Sequence, residues 1–249
     1  MAENEKDLRK LILQLKTESE KMGLSLNVKK TKIMTTANRE VYIKINNDEI
    51  EVVDSFIFLG SLITPNGDST PEIKRRIALG RAAMVSMDQM WKCKDVAITT
   101  KCRLVTAIVF PIATYGCETW TLTKADRRKV DAFELWCWRR LLRIPWTARV
   151  TNRAVLERIS PEMSLEGKIT RQKLTYFGHV MRANSLEKAM LMGMVSGKRK
   201  QGRPKTRWLD TVKADTDMNI KELKEAVMDR VAWRNLAYRV SKGRTRLNG

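Results

Sequence analysis

Apolar positions along the chain follow first a helical and then an alternating spacing. Between Glu5 and Met22, Leu8, Leu11, Ile12 and Leu15 recur every three or four residues, which predicts one apolar helix face, with Gly23 as its stop. The period then shortens to two. Val41–Ile45 and Ile50–Val53 alternate around Asn46, Asn47 and Asp48, the pattern of a β-hairpin, and Phe56–Ser61 predicts a third short strand. Thr64-Pro65-Asn66-Gly67-Asp68 concentrates turn formers and closes this region.

Beyond it the pattern is helical. Thr70 followed by Pro71 fits an N-cap with proline at the first helical position, and Ile73, Ile77, Met84, Met87 and Trp91 recur on one face. A second helix is expected over 99–110, ending at Pro111. Thr123 opens a third, in which Val130, Phe133, Cys137, Leu141 and Ile144 form one stripe with Leu135, Trp138 and Leu142 beside it, and Pro145 stops it. So wide an apolar face belongs at the centre of a bundle. Shorter helices are expected near 151–159, 164–180 and 185–192, then a turn-rich basic segment. A last helix begins at Asn219, with Ile220, Leu223, Val227 and Val231 on one face and Trp233, Leu236 and Val240 on a displaced one. The fold class is therefore α+β, mostly α.

Charge adds a partner class. With 48 Lys+Arg against 28 Asp+Glu in 249 residues, the net charge is +20, while 43% apolar and 31% charged residues is a globular composition. Residues 1–70 hold 10 basic and 11 acidic groups, 71–160 hold 18 and 8, and 161–249 hold 20 and 9. All of the excess lies after about residue 70, which favours a polyanion along the helical part.

Other classes recede. The first twenty residues are heavily charged and lack the apolar stretch of a secretory signal, and the apolar run Leu104–Tyr115 is broken by threonines and Pro111, too short for a bilayer. Cys93, Cys102, Cys117 and Cys137 form no CxxC pattern, and His179 is the one histidine. Reduced thiols in an intracellular protein, nuclear or cytoplasmic, are the expectation, with no zinc site.

Three stretches carry candidate chemistry. Lys29, Lys30 and Lys32 precede the hairpin, where ammonium groups can meet phosphate. Arg139, Arg140, Arg143, Arg149 and Arg153 surround Trp136, Trp138 and Trp146, so arginine forks could grip a duplex backbone while indoles pack inward; tryptophans at helical spacing more often belong to a core. Lys198, Arg199, Lys200, Arg203, Lys205 and Arg207 are broken by Gly202 and Pro204 and followed by Trp208, an extended basic run beside an anchoring or stacking ring. Gly202-Arg203-Pro204 also resembles an AT-hook core, with Gln201 in place of arginine, and a nuclear localisation signal is a further reading.

GLSLNVKKTKIM at 23–34 and SFIFLGSLIT at 55–64 resemble two late palm motifs of reverse transcriptases from non-LTR retrotransposons. FPIATYGCETWTL at 110–122, DAFELWCWRRLLRIPWTARVTN at 131–152, YFGHVMR at 176–182, GKRKQGRPKTRWLD at 197–210 and VMDRVAWR at 227–234 are similar to the thumb and post-thumb of RTE-type, BovB-like elements. The resemblance implies a partial palm over 1–68, a helical thumb over 69–147 and a basic helical post-thumb region over 148–249. It implies a nucleotide-proximal role for Asn27, Lys30 and Thr31, and a primer-grip role for Phe58, Leu59 and Gly60. Lys74 and Arg75 join Arg139, Arg140, Arg143, Arg149 and the 198–208 segment as nucleic-acid contacts. The implied partners are RNA, DNA or an RNA–DNA duplex, with no membrane, and an upstream polymerase fragment.

Polymerisation by two metal ions needs paired carboxylates. In the family they come from an early strand and a Tyr-X-Asp-Asp turn, and Met1 falls a few residues after the place of that turn. No catalytic residue, metal site or cofactor is therefore expected here, Mg²⁺ belonging to the complete polymerase alone. Asp131 with Glu134, and Asp215 with Asp217, have spacings open to a metal but read better as ion pairs or caps. The expectation is an RNA-directed DNA polymerase fragment, inactive in isolation. The alternatives are a host-adopted basic binding protein and a pseudogene remnant.

Overall fold

The computed structural model describes residues 2–36, 41–45, 48–145, 147–194 and 206–243. The chain is mostly helical with a few short strands, α+β as expected, and divides into two compact units, Met1–Glu72 and Ile73–Gly249.

The first unit contains α1 (Glu5–Lys21), capped by the Asn4 side chain, which accepts from the Asp7 amide. Its inner face carries Leu8 and Ile12 against a small core of Ile33, Val41, Ile43, Ile45 and Ile50. Leu11 and Leu15, expected on that face, are 47% and 57% exposed. Strands β2 (Lys44–Ile45) and β3 (Asp48–Glu49) form the antiparallel hairpin, Lys44 opposite Glu49. The next residues, β4 (Glu51–Val52), pair in parallel with β1 (Lys32–Ile33). Alternation therefore marks the hairpin, but the parallel partner has no local signature.

Phe56–Ser61 is not one strand. It is half of a second hairpin, β5 (Phe56–Phe58) against β6 (Ser61–Ile63), turning at Leu59 and Gly60. Both turn residues have positive φ, +47° and +80°. A two-residue turn of that sign matches the twist of a hairpin, but its first position ordinarily selects Asn, Asp or Gly. With leucine there, the turn is hidden from sequence.

The second unit is built of helices. α2 (Thr70–Ser86) runs across the division between the units; α3 (Asp88–Lys92) follows it after a break at Met87. α4 (Ile98–Leu104) passes into a π-helical turn, Val105–Val109, and then α5 (Phe110–Ala113). Pro111 was expected to end a helix. It lies instead in α5, and the wider π turn accommodates a ring that cannot donate to the carbonyl four residues back. α6 (Lys124–Leu141) starts with a capping box between Thr123 and Asp126, and ends before Arg143, at φ +55°, rather than at Pro145. α7 (Asn152–Ile159), α8 (Leu165–Arg182) and α9 (Leu186–Leu191) follow near their expected places.

The turn-rich expectation fails at α10 (Trp208–Thr216), and the single final helix divides into α11 (Ile220–Ala226) and α12 (Arg230–Lys242). Asp229 causes the division, its carboxylate accepting from the Val231 and Ala232 amides at 2.8 and 3.0 Å as an N-cap. The displaced apolar face is thus a second helix.

Two cores fill this unit. One gathers Ile73, Met84, Trp91, Val109, Phe110, Phe133, Cys137 and Trp138 with Leu165 and Ile169. The other gathers Leu174, Phe177 and Met181 with Val212, Leu223, Val227 and Trp233. α8 contributes to both. Its closest partner is α12, and two glycines permit the approach: a Cβ on Gly167 would strike the Ser241 carbonyl oxygen, and one on Gly178 would lie 2.5 Å from Trp233 Cδ1.

Candidate nucleic-acid interface

The 27–31 loop is a 3₁₀ turn, Val28–Lys30, held by Asn27, whose side chain accepts from the Lys30 amide at 3.1 Å. The Thr31 hydroxyl donates to the Asn27 carbonyl at 2.8 Å. Asn27 and Thr31 therefore shape the turn, leaving Lys29 and Lys30 exposed on it. Lys32 differs from them, being paired with Glu51 across the parallel strands.

Phe58, Leu59 and Gly60 occupy the tip of the β5–β6 hairpin. Leu59 is 78% exposed, and Ile57 and Phe58 are exposed beside it. The base of the hairpin is tied down, since the Leu62 amide donates to Glu72 at 3.0 Å. An exposed apolar side chain in the left-handed region costs free energy twice, in conformation and in hydration.

The arginines of α6 are largely engaged within the protein. Arg139 donates to the Val150 carbonyl at 2.7 Å and to Asn152 at 2.9 Å, holding the segment that leads into α7. Arg140 pairs with Asp88 at 2.9 Å. The Lys92 hydrogen bond lowers the Asp88 pKa below the usual carboxylate range, and Arg140 adds to it. Arg140 also stands 5.7 Å from the centre of the Trp136 ring, with Arg81 of α2 at 5.5 Å. Arg81 was not singled out from sequence; α2 carries no mark that pairs it with an indole on α6. Arg143, Arg149 and Lys74 are exposed, and Arg75 is half-buried with a partner in the protein.

Trp138 and Trp208 pack inward. Trp138 is buried and donates to Glu134 at 3.2 Å. Trp208, expected beside the basic run as an anchoring or stacking ring, packs edge-on against Tyr176 at 6.0 Å and near Phe177 at 6.2 Å. Its Nε1 donates to the Glu118 carbonyl at 2.8 Å. Glu118 thus meets Trp208 through its backbone, while His179 lies exposed on α8. Arg207 forms the N-cap of α10. Lys198, Arg199, Lys200, Arg203, Lys205 and Trp146 lie outside the described residues.

Glu134 and Asp215, two of the acids at metal-compatible spacings, have partners within the protein. Glu134 is fully buried, and its second oxygen accepts from the Leu165 amide at 2.9 Å, so one carboxylate serves both α6 and the start of α8. Arg127 bridges Glu166 and Asp215. Asp217 ends α10 at φ +55°. Among the described residues, no group of three or more His, Cys, Asp or Glu is placed to hold a metal ion. Nor, among them, is any helix long and apolar enough to cross a membrane.

No family model matches the chain, and no solved structure matches it. It is similar to an uncharacterized transposon-derived protein of Caenorhabditis elegans, 29% identical over 219 residues that cover 83% of this chain and 77% of that one. This similarity supports a transposon origin.

Proposed function

We propose that the chain is the late palm, thumb and post-thumb part of an RTE/BovB-like retrotransposon reverse transcriptase, which holds nucleic acid through its phosphates and does not polymerise alone. The observation that carries the reading is the β5–β6 tip, where the Phe-Leu-Gly implied as a primer grip is exposed, with Leu59 held at positive φ. The exposed Lys29 and Lys30 of the neighbouring sequence motif, and the excess of cations after residue 70, suit a polyanion. Glu134 accepts from the Leu165 amide and Asp215 pairs with Arg127, and the reading assigns Mg²⁺ and chemistry to an upstream polymerase fragment. RNA, DNA and RNA–DNA duplexes are the partners proposed, recognised by backbone rather than sequence.

Fluorescence anisotropy with a labelled RNA–DNA hybrid across a salt series tests this. Affinity is expected to fall steeply and linearly on logarithmic axes as counterion release is suppressed; a flat dependence overturns the reading.

A further inference from the structure

We propose that the outer face of α12, joined by Arg171 of α8, is a phosphate-binding surface for a nucleic-acid strand. The proposal rests on the nucleic-acid reading above, but locates binding on a helix that neither the charge runs nor the arginine–tryptophan pattern of the sequence singles out.

α12 buries Trp233, Ala237 and Ser241. On its other side Arg234, Tyr238, Arg239 and Lys242 follow at intervals of four, five and eight residues from Arg234, which places them around one broad face. Arg234, Arg239 and Lys242 are exposed and Tyr238 is half-buried. From Arg230 to Lys242 the helix has no acidic residue. Arg234 and Arg239 form no ion pair among the described residues, unlike Arg139 and Arg140, whose guanidinium groups are spent inside the protein.

Tyr238 organises the face. The Arg171 guanidinium lies 5.5 Å from its ring centre and Lys242 Nζ lies 5.7 Å from it. The hydroxyl donates to Glu162 at 3.1 Å. Cation–π contact positions the Arg171 guanidinium without consuming its N–H donors, which stay available to phosphate oxygens. The distance along the axis from Arg234 to Arg239 is about 7.5 Å, matching about two steps of a strand that rises about 3.4 Å per nucleotide.

A membrane surface is disfavoured because the apolar side of α12 is occupied by the protein core, so the helix has no face to insert.

The test compares the full-length chain with R234Q/R239Q, using the labelled RNA–DNA hybrid across a salt series. Both side chains are exposed, and K221Q/K224Q on α11 removes two exposed charges elsewhere. We expect R234Q/R239Q to bind about tenfold more weakly at low salt and to lose about two from the magnitude of the log–log slope, with K221Q/K224Q near wild type. Equal losses in both variants overturn the site in favour of diffuse charge. Unchanged binding by R234Q/R239Q overturns the site and leaves the nucleic-acid reading standing, whereas salt-independent wild-type binding removes both. If polyglutamate competes as well as the hybrid, and through the same arginines, the partner is an acidic protein and the proposal fails.

Discussion

The indole of Trp233 lies directly over Gly178, its Nε1 donating to the Leu174 carbonyl at 2.8 Å one turn earlier on α8. A methyl group at 178 cannot share that space, because Trp233 is buried against Phe177 and has no room to withdraw. Gly178→Ala is therefore expected to destabilise the protein by about 2–4 kcal/mol through overpacking and loss of a buried hydrogen bond. Urea denaturation measures this, and the cost should shrink when Trp233→Leu is added, as a double-mutant cycle reveals for residues in contact.

Glu134 presents a second test. One oxygen accepts from Trp138 and the other from the Leu165 amide. Glu134→Ala leaves two buried donors without acceptors and is expected to cost about 2–4 kcal/mol, with Glu134→Gln costing less because one acceptor survives. The urea midpoint should move at constant slope for both. A Glu134→Ala protein as stable as wild type would remove Glu134 from the architecture.

Burial pushes the Cys117 thiol from about 9 up to about 12, with Glu118 adding to the shift, and raises Cys137 strongly in the same direction. In the unfolded chain these thiols ionise near the ordinary value, so the folded state binds more protons above it. Their contribution is complete below about pH 9 and declines as pH rises toward 12, by up to about 1.4 kcal/mol per pH unit for each thiol. A Cys117→Ala/Cys137→Ala protein should show a shallower alkaline loss of stability in urea titrations. At neutral pH both thiols should resist alkylation until the chain unfolds.

The Leu59 turn carries its own expectation. Asparagine tolerates positive φ better than leucine, so Leu59→Asn should relieve about 1 kcal/mol of backbone strain. Hydrogen exchange in Phe56–Ile63 should slow. Under the proposed function, the same substitution should weaken binding to the RNA–DNA hybrid, since the exposed apolar tip is lost. Faster exchange would show that the leucine stabilises its turn.

What could be read beforehand followed how local each cause is. Thr123, Thr70 with Pro71, and the spacing of Val130, Phe133, Cys137 and Leu141 are contained within a few turns, and each marks its helix. The π turn before Pro111 and the split at Asp229 were missed because proline and aspartate have several local solutions, and packing selects among them. The candidate site was less legible. Arg140 finds Asp88 across 52 residues, and Trp208 finds Glu118 across 90; no periodicity distinguishes an arginine held in this way from one left for phosphate. Tyr238 had no local pattern to mark it either, because one of its flanking cations comes from α8.

With its first half in one core and its second half in the other, α8 has no segment that can melt by itself. Opening either core strips apolar cover from the same rod, so the two should be lost in one transition rather than in sequence. The amides from Thr170 to Leu174, where the cores meet, should therefore exchange with solvent only when the whole helical unit unfolds.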